Sequence, residues 1–111
     1  MRPKTGPLTD RQMDIVTGMM NGRRHKETAR AHNLSESSIR NEATVITAKF
    51  GAETSVQAIG RYATAVAYCE AADELRKVKL SPQMPNAGSV NLVLEELARL
   101  LERRAANLMP Q

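Results

Sequence analysis

At 111 residues with 41% hydrophobic side chains, the chain has room for one compact domain and an appended helix, which excludes a large multidomain enzyme and wholesale disorder. Sixteen Lys and Arg against twelve Asp and Glu leave a net charge of +4, a balance compatible with a polyanionic partner. The three aromatic residues, Phe50, Tyr62 and Tyr68, are too few for the base-stacking platform on which binders of single-stranded nucleic acid rely.

Helical periodicity runs through nearly the whole chain, and no stretch shows the alternating β-branched pattern of a strand, so the expected fold class is all-α. Residues 1–7 form a basic arm carrying Arg2 and Lys4. Thr9 with Gln12 three positions on is a capping box, and the helix it opens carries Met13, Val16 and Met20 on one face before Asn21 and Gly22 end it. A short second helix fits Lys26 to about His32. Asn33 then stands where the chain must turn, and asparagine accepts a left-handed backbone.

Ser35 is a good N-cap with Glu36 behind it, which predicts a third helix from about Glu36 to Lys49, stopped by Gly51. Its stripe of Ile39, Ala43, Ile46 and Phe50 faces a core and leaves Arg40, Asn41 and Thr44 on another face. A second capping box, Thr54 to Gln57, opens a fourth helix reaching about Val78, with Val56, Ile59, Ala63 and Val66 on one side. Residues 8–78 therefore read as one helical unit. Residues 79–88 hold two prolines and a glycine and read as a linker. In residues 89–111, Ser89 can cap an amphipathic helix with Val90, Leu94, Leu97 and Leu101 at heptad-like spacing, and Val93 and Leu100 alongside.

A short helix, a tight turn at Asn33 and Leu34, and a longer helix with exposed Arg, Asn and Thr is the layout of a helix-turn-helix, whose second helix fits a major groove. The stretches LTDRQMDIV, NGRRHKETARAHNLSESSIRN, ITAKFG and SVQAI resemble the LuxR/FixJ family of DNA-binding domains. Leu8, Thr9 and Arg11 match its opening motif, and Gly22, Lys26, Glu27 and Ala29 its second. Ser35, Glu36, Ser38, Ile39 and Arg40 match the third, and Lys49, Phe50 and Gly51 the fourth; the resemblance runs from roughly Leu8 to Tyr68. Thr28 and His32 replace larger aliphatic residues of the family, Asn33 its turn glycine, and Glu42 a frequent histidine.

The resemblance implies a four-helix LuxR-type domain whose base-reading face falls on Arg40, Asn41 and Thr44. The periodicity leaves that same face exposed. Arg can bond guanine, Asn adenine, and Thr can meet a thymine methyl, whereas the plainer alternative is a solvated helix face. Lys26 and Lys49 match basic positions of the family and are candidates for phosphate contact, with Arg23 and Arg24 in the preceding loop. Ser37 and Ser38, at the positive end of the third helix, suit either phosphate or simple capping. The family's fourth helix commonly mediates dimerisation, which makes Val56, Ile59, Ala63 and Val66 dimerisation candidates. The C-terminal stripe of Val90, Leu94, Leu97 and Leu101 either shares that role or packs back on its own chain.

The expected function is that of a dimeric transcription regulator binding double-stranded DNA at an inverted repeat. With the motif starting within ten residues of Met1, it is expected to stand alone without a sensor domain. The alternative, favoured by Glu42 and the Leu-rich tail, is an interaction module that binds another transcription regulator or RNA polymerase. Residues 1–70 hold ten basic and seven acidic groups and residues 71–111 six and five, so the positive excess sits mainly with the DNA-binding region. One cysteine, Cys69, excludes an internal disulfide, and His25 and His32 alone make no metal-ligand set, so neither metal nor cofactor is expected. No catalytic constellation is present, which argues against an enzyme. No apolar run approaches ~18 residues, so no membrane span is expected and the protein is read as cytoplasmic.

Overall fold

The computed structural model describes residues 7–78 and 80–110; the basic arm with Arg2 and Lys4, and Lys79 of the linker, lie outside them. Five helices follow in order: α1 Asp10–Met20, α2 His25–His32, α3 Glu36–Lys49, α4 Ser55–Lys77 and α5 Ala87–Leu108. No strand occurs among the described residues. The all-α fold is as the periodicity demands.

Helix ends follow from local chemistry. The Thr9 hydroxyl accepts from Gln12 N–H and the Gln12 side chain accepts from Thr9 N–H, both at 3.1 Å, so the capping box of α1 is complete. Asn33 takes the left-handed conformation (φ 55°, ψ 42°), which lets Leu34 N–H reach back to the Ala29 carbonyl at 2.9 Å and closes α2. Ser35 then caps α3 through Ser38 N–H at 3.1 Å. At the start of α4, Thr54 accepts from Gln57 N–H, but the Gln57 side chain accepts from Glu53 N–H instead of closing the box on Thr54.

Leu8, Met13, Ile15 and Val16 from the α1 region, Ala29 of α2, Ile39 and Ile46 of α3 with Phe50 just beyond it, and Ala58, Tyr62, Ala65 and Cys69 of α4 share one core. Tyr62 is fully buried, and its hydroxyl lies 2.8 Å from Thr17 Oγ1. Because Thr17 donates to the Met13 carbonyl at 2.7 Å, it accepts from Tyr62 and ties α1 to α4. The polar departures are absorbed too. Thr28, wholly buried, donates to the Arg24 carbonyl at 3.2 Å, and His32 Nε2 lies 2.7 Å from Asp14 Oδ2, joining α2 to α1.

The C-terminal helix corrects two expectations. It begins at Ala87, not after Ser89, because two turns in the proline segment run straight into it: Met84 N–H bonds the Ser81 carbonyl and Ala87 N–H the Met84 carbonyl. Asn86, left-handed at φ 61°, is the cap residue, and Gly88 falls inside the first turn, where a glycine costs little. The Asn91 side chain clamps Leu80 through both its N–H (2.8 Å) and its carbonyl (3.1 Å).

Packing back on its own chain was one of the two roles open to α5, and it lies antiparallel along α4, with Arg76 near the end of α4 bonding Glu95 and Glu102 of α5. Its far end returns to the helix-turn-helix, where Ala105 and Met109 enter the common core. The face turned inward is not the leucine stripe. Ala87, Ala98 and Ala105 are the buried positions, Leu94 and Leu101 are half-buried, and Val90 and Leu97 stay exposed. Small side chains let two backbones approach closely, and α4 presents Ala58, Ala65 and Ala72 in the same way.

Candidate nucleic-acid interface

The third helix owes its orientation to its buried side. Ile39 and Ile46 have no exposed surface, and Ala43 and Phe50 are nearly closed off, so the opposite arc of α3 must face solvent. That arc carries Ser37, Arg40, Asn41, Thr44, Val45 and Ala48, all exposed. The Arg40 side chain is 62% accessible and held by one loose ion pair, 3.7 Å to Glu36 one turn earlier. Thr44 turns its hydroxyl to the Arg40 carbonyl at 3.1 Å, which points its methyl group away from that bond. Asn41 has no side-chain partner among the described residues. The three positions are thus brought together on one convex face with donors, acceptors and a methyl group available.

Val45, 42% exposed on this face, escaped the sequence reading. An exposed β-branched residue one turn after Asn41 can meet a thymine methyl, and its helical position was the signal that could have found it. Glu42 is half-buried at the edge of the face, not at its centre.

The phosphate-contact candidates divide. Arg24, Lys26 and Ser37 are exposed, with no side-chain partner among the described residues. Arg23 is half-buried, lays its stem against Gly18 and directs its guanidinium to Asp14 at 3.8 Å. Ser38 Oγ lies 3.0 Å from Ser35 Oγ and serves the cap. Lys49 turns inward across the domain, donating to the Pro7 carbonyl at 2.9 Å and to Gln12 Oε1 at 2.6 Å. Arg61 likewise donates to the Phe50 carbonyl. These cations fix the ends of α1, α3 and α4 relative to one another.

Of the dimerisation candidates on α4, Val56 is 76% exposed, while Ile59, Ala63 and Val66 are half-buried and Val66 packs against the core. Elsewhere, a cleft of about 500 Å³ between the end of α3, Arg61 and the end of α5 is floored by Phe50 and Met109. Cys69 is buried, and that burial, with Glu102 and Asp73 nearby, pushes its thiol above the usual range. No group of three metal-ligating side chains occurs among the described residues. None of the described helices is long and apolar enough to cross a membrane.

No curated protein and no solved structure matches the chain significantly. The sequence model of the family described as GerE, "Bacterial regulatory proteins, luxR family", matches residues 6–62, just over half of the chain. That segment contains α1 to α3, the turn at Asn33 and the start of α4. Together with the exposed face of α3, this makes the protein a DNA-binding transcription regulator that belongs to the luxR family of bacterial regulatory proteins.

Proposed function

We propose that the protein reads a specific double-stranded DNA sequence by laying α3 in the major groove, with Arg40, Asn41 and Thr44 addressing base edges, and that it does so as a dimer on an inverted repeat. The carrying observation is the exposure of these three side chains together on a helix whose other side is locked into the core. In this arrangement Arg40 bonds guanine O6 and N7, Asn41 bonds adenine, and the methyl groups of Thr44 and Val45 pack on thymine. Lys26, Arg24 and Ser37 hold phosphates and set the register, a role that carries no sequence information. Arg23, Lys49 and Ser38 support the interface from beneath instead of touching the backbone of the duplex. A net charge of +4 supplies little affinity to a single copy, and a second copy doubles the phosphate contacts.

Selection of bound duplexes from a random pool tests this. A two-fold motif should emerge, and its affinity should fall steeply with salt, the logarithmic slope growing by ~0.9 for each phosphate neutralised. A module that binds only another regulator or RNA polymerase would enrich no sequence, and that result would replace the proposal.

A further inference from the structure

Helix α5 carries two apolar faces, and its own chain covers one of them. The alanines are buried, while Val90, Val93, Leu97 and Leu100 remain 39%, 53%, 44% and 37% exposed. Their spacing of three, four and three residues aligns them in one stripe of a heptad pattern. Arg104 and Asn107 stand at the next two positions of the same stripe and end it. Burying branched aliphatic side chains yields more than burying alanine, so this aligned stripe holds unused hydrophobic driving force.

We propose that the stripe is the seat of a second copy of this chain, α5 packing antiparallel on α5 so that two α4–α5 hairpins form a four-helix arrangement. This specifies the interface of the dimer proposed above and rests on that reading. The choice of occupant and direction comes from charge. Glu96 and Arg103 flank the stripe on one side, one heptad apart, and neither has an ion-pair partner among the described residues. A two-fold axis midway between Leu97 and Leu100 sets Glu96 of each copy against Arg103 of the partner subunit, so the pair forms twice. A parallel arrangement sets Glu96 beside Leu101 of the partner subunit and forms neither. Rim pairs of this kind contribute direction more than affinity, which comes from Leu97 and Leu100 packing on each other across the axis, with Val93 under the aliphatic stem of Arg104 of the partner subunit.

The arrangement has a consequence for the operator. The end of α5 lies beside Phe50 and Arg61, so antiparallel pairing puts the two helix-turn-helix units at opposite ends of the bundle. At ~1.5 Å rise per residue the two Leu108 positions are already ~29 Å apart, and the recognition helices lie further out. The half-sites should therefore be separated by more than one ~34 Å turn of DNA.

Sedimentation equilibrium of the full chain without DNA tests the interface. The wild type should be a dimer. Leu97→Asp should be a monomer with unchanged helical content, because Leu97 lies off the core, and its melting temperature should match that of the wild type diluted until it is monomeric. Glu96→Arg and Arg103→Glu should each weaken the dimer at least several-fold, and an equimolar mixture of the two should recover it as a heterodimer. A monomeric wild type, or a dimer indifferent to Leu97→Asp, overturns the proposal; a mixture that fails to recover overturns the antiparallel direction. Failure here leaves base selection by α3 standing, whereas loss of selection by a protein that still dimerises counts against the DNA reading alone.

Discussion

Replacing Met109 by alanine tests whether the end of α5 is built into the helix-turn-helix core. Met109 is 4% exposed and belongs to the same buried cluster as Phe50, Tyr62 and Ala105. Truncating a buried methionine to alanine typically costs about 2–5 kcal/mol, the spread reflecting how far the site can collapse. Here the lost side chain borders an open cleft that water and Leu108 can enter, which places the expectation at the lower end, about 2–3 kcal/mol. Unfolding entropy of about 2.1 cal/mol/K per residue gives ~0.23 kcal/mol/K for a chain of 111 residues, so the midpoint should fall by roughly 10 °C. Thermal unfolding followed by far-UV circular dichroism reads this directly. A fall of less than about 2 °C would mean that the last turn of α5 contributes nothing to the core, and the packing described above would be wrong.

Three further outcomes are expected. Tyr62→Phe removes the hydroxyl that bonds Thr17 and should cost about 0.5–1.5 kcal/mol in denaturant unfolding, while in a Thr17→Val background the same change should cost less. Arg76 donates to Glu95 and Glu102 and holds both carboxyls below the ordinary range against the opposing effect of desolvation. Their stabilisation is therefore complete above the unfolded carboxylate value of ~4.3 and lost as pH falls through the lowered folded values. A melting profile in acid should show this loss, and Arg76→Ala should flatten it. Cys69, buried and with its thiol pushed up, should react with iodoacetamide at neutral pH only at the rate of unfolding.

Much of the fold was legible because local chemistry and global packing agree. Thr9 with Gln12, Asn33 in its left-handed turn, Ser35 as a cap and Gly51 as a stop all act within a few residues of chain, and the exposed trio on α3 follows from a single buried stripe. The inward turn of Lys49 was not legible. Its partners, Pro7 and Gln12, are distant in sequence and meet it only once α1 and α3 have packed, and the same holds for Arg23 with Asp14. The C-terminal helix misled for a different reason. Hydrophobicity ranks leucine above alanine, but close approach of α5 to α4 selects the small side chain, so the helix turns by part of a revolution and leaves Val90, Val93, Leu97 and Leu100 exposed.

In the proposed mode of binding, Arg40, Asn41 and Thr44 carry base discrimination. The decisive experiment is binding of wild-type protein and Arg40→Ala to the selected operator and to every single-base variant of it. Arg40→Ala should lose ~1–3 kcal/mol on the operator and become indifferent to one base pair in each half-site, with discrimination elsewhere retained. An equal loss across all sequences, with every preference intact, would show Arg40 to be a phosphate contact and would contradict the placement of this face against the bases.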